Sequence, residues 1–194
     1  MVPAALSQAI EARDPSTRGH SARVSELAAI VAQRRGWNGS RLAALRLGGR
    51  LHDVGKLNVD AALLRKAGPL NEHEFGEIRR HPVAGARLVR RFEALRPALP
   101  YILFHHERWD GSGYPSGRSR EQIPTGARIV AVADAFDAMT SHRPYRPPLA
   151  LGTALAEVEQ GAGTQFDPGA VRAFLAAWSA GELARLLPDE RLSA

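Results

Sequence analysis

PTGARIVAVADAFDAMTS, residues 124–141, is the stretch that decides the fold. Ile129, Val132, Ala133, Phe136 and Met139 recur at three- and four-residue intervals, so they share one face of an α-helix that points into a core. Asp134 sits among them. A buried carboxylate there costs roughly several kcal/mol unless it is ion-paired or bound to a metal. One segment therefore argues both for a helical core and for a charged centre inside it.

The helical period continues on both sides. Leu6 and Ile10 mark a first short helix, ended near Asp14-Pro15 because the residue before proline avoids helix. His20, Val24, Leu27 and Val31 form a second stripe, which Gly36 stops as a C′ glycine. Ser40 is placed to cap a third helix with Leu42, Leu45, Gly49 and His52 on one face. Gly48 and Gly49 each cost that helix about 1 kcal/mol relative to Ala, so close approach of another backbone is expected there. Asn71 and Glu74 have the spacing of a capping box for a helix through Arg80. His81-Pro82 reads as a cap followed by proline at the first helical position, and Leu88, Val89, Phe92 and Leu95 carry that helix inward.

Pro100 opens a helix that runs into His105-His106, and the glycines and prolines of Asp110-Gly-Ser-Gly-Tyr-Pro115 make a loop. Asp167-Pro168 starts a last strong helix with Val171, Phe174, Leu175 and Trp178 inside. No alternating strand pattern, repeat or low-complexity block interrupts the series. The expected fold is all-α, a single helical bundle over residues 1–181 with a weaker helix or tail at 182–194.

Composition narrows the chemistry. A chain of 194 residues suits one domain, and it has no cysteine. Disulfides and thiolate metal sites are thereby excluded, so any ion must be held by imidazole, carboxylate and water, as first-row metals allow. The missing cysteines agree with a cytoplasmic location. No apolar run reaches the roughly 18 residues of a membrane helix, and the first residues lack the pattern of a signal peptide. The formal charge is +6, and all of the 26 basic residues except Lys56 and Lys66 are arginine. They are spread along the chain rather than clustered, so DNA binding is not expected.

Histidines and carboxylates recur at helix ends. His52 and Asp53 close a buried stripe, and neighbouring helix positions point about 100° apart, so the pair suits two ions better than one. Lys56 follows three residues later on the same face, and His105 and His106 form a second adjacent pair. His52-Asp-Val-Gly-Lys56 followed by His105-His-Glu-Arg-Trp-Asp-Gly-Ser-Gly-Tyr-Pro115 resembles the HD-GYP domain of the HD phosphohydrolase superfamily. The resemblance runs from about Leu6 to Trp178. It includes Gly19-His-Ser-Ala-Arg-Val24, Arg79-Arg-His-Pro82, Ala133-Asp-Ala-Phe-Asp-Ala-Met139, Arg143-Pro-Tyr-Arg146 and Gly163-Thr-Gln-Phe-Asp-Pro168.

That resemblance implies a bacterial phosphodiesterase that hydrolyses cyclic di-GMP to pGpG, GMP or both, with a metal-bridged hydroxide as nucleophile. It implies His20, His52, Asp53, His81, His105, His106 and Asp134 as metal ligands, with Asp53 bridging and Lys56 as the catalytic lysine. Arg143 and Arg146 match residues that hold ligand phosphate, and a guanidinium fork suits that task. Tyr114 and Pro115 match the loop beside the substrate, which Gly111 and Gly113 let bend close. The implied cofactors are divalent ions, most often iron or manganese. Members with three metals carry a glutamate four residues before the first histidine. Ser16 stands there, which favours two ions and leaves His20 open to a second reading as a buried core histidine.

Other residues have bland readings. His73 is expected solvated on a helix, and His142, which replaces the usual Asp before Arg-Pro-Tyr, is expected in an exposed loop. Glu107 is expected to support or cap rather than to ligate. Asp137 could orient a ligand or Arg143, or make a local helix contact; Asp110 shapes the glycine loop. Trp109 packs or stacks on guanine, and Arg128 is read as a surface residue. Two other functions stay open: a phosphohydrolase for a different cyclic dinucleotide or nucleotide, and a non-enzymatic module that senses cyclic di-GMP. The family also leaves room for an attached sensory domain or a homodimer.

Overall fold

In the computed structural model of the chain, residues 2–14, 17–66, 68–141 and 147–187 are described. The chain order is α1 (Val2–Arg13), α2 (His20–Arg34), α3 (Gly39–Leu51), α4 (Ala61–Leu64), α5 (Glu72–Ile78), α6 (His81–Val89), α7 (Leu99–Phe104), α8 (Thr125–Thr140), α9 (Leu151–Gln160) and α10 (Pro168–Ser179). Three-residue-per-turn segments at Val54–Asn58 and Glu93–Ala98 join α3 to α4 and α6 to α7. The one β pairing among the described residues is an isolated bridge between Ala162 and Phe166. The fold is all-α, and no described helix is long and apolar enough to cross a membrane.

Local chemistry sets several boundaries as expected. The Asn71 side chain accepts from the Glu74 amide while Glu74 accepts from the Asn71 amide, completing the capping box. Asp167 accepts from the Gly169 amide at the head of α10. Gly36 takes φ +78° just beyond α2, and its amide donates to Gln33 O. Gly48 and Gly49 are where α3 meets its neighbours. A Cβ on Gly48 would lie 2.7 Å from Tyr101 Cβ, and one on Gly49 would lie 2.7 Å from Ser25 Cα.

Four expectations change. The N-cap of α3 is Asn38 in extended backbone, without a side-chain cap bond, so Ser40 lies inside the helix. Likewise His81 is the first residue of α6 and Arg80 its cap. Helix α6 ends at Val89 and does not run on to Leu95; Leu95 is buried from the following segment, whereas Phe92 is exposed. Helix α9 was not apparent from the pattern, yet it buries Ala154 and Val158. Beyond residue 181, Leu183 and Leu187 join the core around a short turn, Ala184–Leu186.

Apolar side chains gather in two main clusters. The larger joins α2, α8, α9 and α10 around Leu27, Val31, Phe136 and Phe174. The second joins α1, α3, α6 and α7 around Ile10, Leu51, Val89 and Ile102. His52 directly follows Leu51 of the second cluster, and Asp134 directly follows Ala133 of the first. The candidate ligands thus lie where the two cores meet, and helix ends supply most of them.

Candidate metal centre and cleft

Six elements converge on one spot. His20 opens α2, His52 closes α3, and Asp53 precedes the Val54–Asn58 segment. His81 opens α6, His105 and His106 end α7, and Asp134 projects from the middle of α8. Their donor atoms fall into two groups: Asp53 with His81, His105 and His106, and His20 with His52 and Asp134. Within each group every donor lies within 4.8 Å of the others. All seven residues proposed from sequence as ligands are therefore together. Asp53 faces both groups, with Oδ1 3.3 Å from His81 Nε2 and Oδ2 3.5 Å from His52 Nε2.

The donor chemistry fits cations. Nδ1 of His52, His81 and His105 each lies 2.8 Å from a backbone carbonyl, of Gly49, Ile78 and Ile102 respectively. A carbonyl only accepts, so Nδ1 carries the proton and Nε2 presents a lone pair inward. Nε2 of His81 and His105 then meet at 3.3 Å as two lone pairs, and buried His52 Nε2 has no hydrogen-bond partner. Both arrangements are unfavourable without a cation between the nitrogens. Burial pushes His81 and His106 down to about 3, and it also depresses His105, so these imidazoles are neutral and ready to ligate.

His20 is held differently. Its Nδ1 lies 2.7 Å from Asp137 Oδ2 and its Nε2 3.2 Å from Asp134 Oδ1. Burial would lower its pKa, but the bonds to the two carboxylates outweigh that and raise it to about 9. Asp137 is itself fully buried and accepts from Arg23 at 2.6 and 3.0 Å and from Ser141 at 3.2 Å. Burial would raise the Asp137 carboxyl, but His20 and Arg23 bring it down to about 2. A carboxylate–imidazole–metal relay of this form fixes a ligand's tautomer and orientation. Both readings of Asp137 have geometry: it holds His20 Nδ1 and it accepts locally from Ser141. Arg23 has no role by spacing alone, and only its quoted motif pointed to it.

Lys56 Nζ lies 2.6 Å from Asp53 Oδ2 and is partly exposed. Burial raises the Asp53 carboxyl, but the Lys56 ammonium beside it prevails and holds it well below the usual range. Over this floor opens a cleft of about 360 Å³, lined by His105, His106 and Asp134 below and by Phe75, Arg79, Gly113 and Tyr114 at the side. The Tyr114 ring stands 4.8 Å from the His106 ring. Pro115 is exposed on the loop. Gly111 takes φ +86°, and a Cβ on Gly113 would lie 2.6 Å from His106 O, so both glycines are required by backbone geometry.

Glu107 is not among the clustered donors; it is buried and accepts from the Ser116 and Arg118 amides at 2.7 and 3.1 Å. Asp110 accepts from the amide and hydroxyl of Ser112, as a loop-shaping residue does. Arg128 is part-buried and paired with Asp167 at 3.0 Å, with Trp109 beside it, rather than being free surface charge. His73 is exposed on α5. Ser16, His142, Arg143 and Arg146 lie outside the described residues.

Known proteins similar to this chain share its family and its fold. A family model described as HD domain matches residues 4–170. Over 172 residues the chain is 39% identical to a Thermotoga maritima protein named cyclic di-GMP phosphodiesterase, covering 88% of this chain and 47% of that protein. It is 41% identical over 174 residues to the cyclic di-GMP phosphodiesterase response regulator RpfG of Xanthomonas campestris, covering 88% and 46%. It is 33% identical over 186 residues to the 3'3'-cGAMP-specific phosphodiesterase 3 of Vibrio cholerae, covering 96% and 39%. The chain thus spans about half the length of the curated relatives it matches, or less. A solved cyclic GMP-AMP specific phosphodiesterase of V. cholerae shares the fold at TM-score 0.76 and 18% identity, over 97% of this chain and 51% of that one.

Proposed function

Because the chain belongs to the HD domain family, we propose that it is a metal-dependent phosphodiesterase that opens cyclic di-GMP to pGpG, GMP or both. The observation that carries this reading is the pair of largely buried His/Asp donor groups, of which His105, His106 and Asp134 line a cleft walled by Gly113 and Tyr114. The names of the Thermotoga and Xanthomonas relatives supply the substrate. His81, His105, His106 and Asp53 would hold one ion, and His20, His52 and Asp134 the other, with Asp53 shared between them. Two ions, iron or manganese, suit this oxygen- and imidazole-rich set. When bound, they supply an activated water and neutralise phosphate charge.

The chain's own residues do the rest. Lys56, which donates to Asp53, would stabilise the charge developing on phosphate or protonate the leaving oxygen. Asp53 has two tasks, as a shared ligand and as the anchor of that lysine. Tyr114 and Gly113 bound the space in which the substrate lies. Arg143 and Arg146 are assigned to the phosphates by resemblance. A cytoplasmic location belongs to the same reading.

The test is metal analysis and cyclic di-GMP turnover on one sample. About two ions per chain and hydrolysis to the linear dinucleotide are expected, and Asp53→Ala should abolish turnover and reduce metal content. Binding of cyclic di-GMP without cleavage by the metal-loaded chain would refute the enzymatic reading. A second reading, hydrolysis of a mixed guanine–adenine cyclic dinucleotide, is favoured by the Vibrio relative. Comparing kcat/KM for the two substrates separates them.

A further inference from the structure

One wall of the cleft has an arrangement that the metal chemistry does not use. Arg79 Cζ lies 4.7 Å from the Tyr114 ring centroid and 5.6 Å from that of Phe75. Together with the His106 ring beside Tyr114, these groups form a row leading from the metal floor to the cleft mouth. Phe75 is 47% exposed, and Phe92 is the other large apolar side chain so exposed among the described residues. An aromatic face at the mouth of a polar cleft is a platform for a flat ligand. The Arg79 side chain makes no hydrogen bond or ion pair among the described residues, whereas nearby Arg80 and Arg108 pair with Glu77 and Asp110. Rings therefore hold the cation in place while its N–H donors stay unspent.

We propose that Arg79 and Phe75 form a guanine-reading wall, in which Phe75 stacks on the purine and the Arg79 guanidinium donates to its N7 and O6. Guanine presents two acceptors on that edge, which match a guanidinium fork; adenine presents N7 beside an amino donor, which opposes it. Arg79 is then a specificity residue: it selects the base while the metals and Lys56 act on the phosphate. The assignment rests on the proposed cyclic dinucleotide substrate and narrows it to one carrying guanine.

Calorimetric titration of GMP and AMP into the chain in manganese-containing buffer tests the wall without any turnover. Wild type should bind GMP about 5- to 150-fold more tightly than AMP, the range of one bidentate base contact. Arg79→Gln should bring the two affinities together. Phe75→Ala should weaken both nucleotides by a similar factor and leave their ratio unchanged. Both side chains are exposed, and an unchanged urea midpoint confirms that the variants are folded. Equal affinity of wild type for GMP and AMP, or binding of neither, overturns the proposal. So does an Arg79→Gln variant that loses both nucleotides equally, because that marks a phosphate contact. Turnover of cyclic di-GMP is read separately. Discrimination without turnover leaves the wall standing and removes the phosphodiesterase reading; turnover without discrimination does the reverse.

Discussion

The two donor groups are built by different means. Around Asp53, His81, His105 and His106, two of the three imidazoles are oriented by main-chain carbonyls three residues back, those of Ile78 and Ile102. His52 of the second group is held in this way too, by Gly49 O. His20 is not: a side chain holds it, and Asp137 is in turn held by Arg23 and Ser141. Main-chain orientation is inherited from the helix and can be disturbed only by moving the helix. Side-chain orientation can be removed by one substitution. The first group should therefore fail together with the fold, and the second should fail alone.

The sharpest way to break the first group is to push its helix away. A Cβ on Gly55 would lie 1.8 Å from His81 O and 2.5 Å from Gly85 N, both main-chain atoms that cannot rotate aside. Gly55→Ala should separate α6 from the Val54–Asn58 segment, carry His81 away from Asp53, and cost about 1–3 kcal/mol by overpacking. Urea unfolding and metal content should fall together. Loss of metal at unchanged stability would contradict the coupling of site and fold.

Asp137→Asn probes the second group while keeping the side chain's shape. It should weaken metal binding about 10- to 100-fold at one position only, as loss of a supporting carboxylate does. Stoichiometry at limiting metal should then fall from two toward one per chain, with the fold retained. Equal loss of both ions would show that the groups are not independent.

In the metal-free chain, the pH dependence of stability should give the two groups opposite arms. His81 and His106 titrate near 3 when folded but near 6.5 when unfolded. Below pH 6.5 the unfolded chain binds the extra protons, so stability falls as pH drops toward 3. His20 titrates near 9 when folded. Its contribution is fully present below 6.5 and is lost as pH rises through 9. Urea midpoints across this range should peak near pH 6.5, and Asp137→Asn should flatten the alkaline arm alone.

Much of this division was legible in the residues and part was not. The period of α8 and the His-Asp adjacency follow from spacing, because a helix converts intervals of three and four into one face. The capping box at Asn71 is equally local, since its donors and acceptors lie within four residues. The Arg23–Asp137 contact bridges 114 residues, and nothing in spacing predicts which buried carboxylate a distant arginine will meet. Helix α9 lies outside the stripes read from spacing, and only Ala154 and Val158 on it are fully buried. The apolar residues from Leu88 to Leu95 keep a helical rhythm across a break, so spacing places Phe92 inside although it faces solvent.

Glu107 follows the last imidazole of the first group, and its carboxylate grips two amides of the loop that carries Tyr114 and Pro115. The grip makes the wall of the cleft and the end of α7 one mechanical piece. A wall so fastened does not serve as a swinging door. In the proposed reaction, substrate would then pass this wall by diffusion through a standing opening, with no gating by motion of this loop.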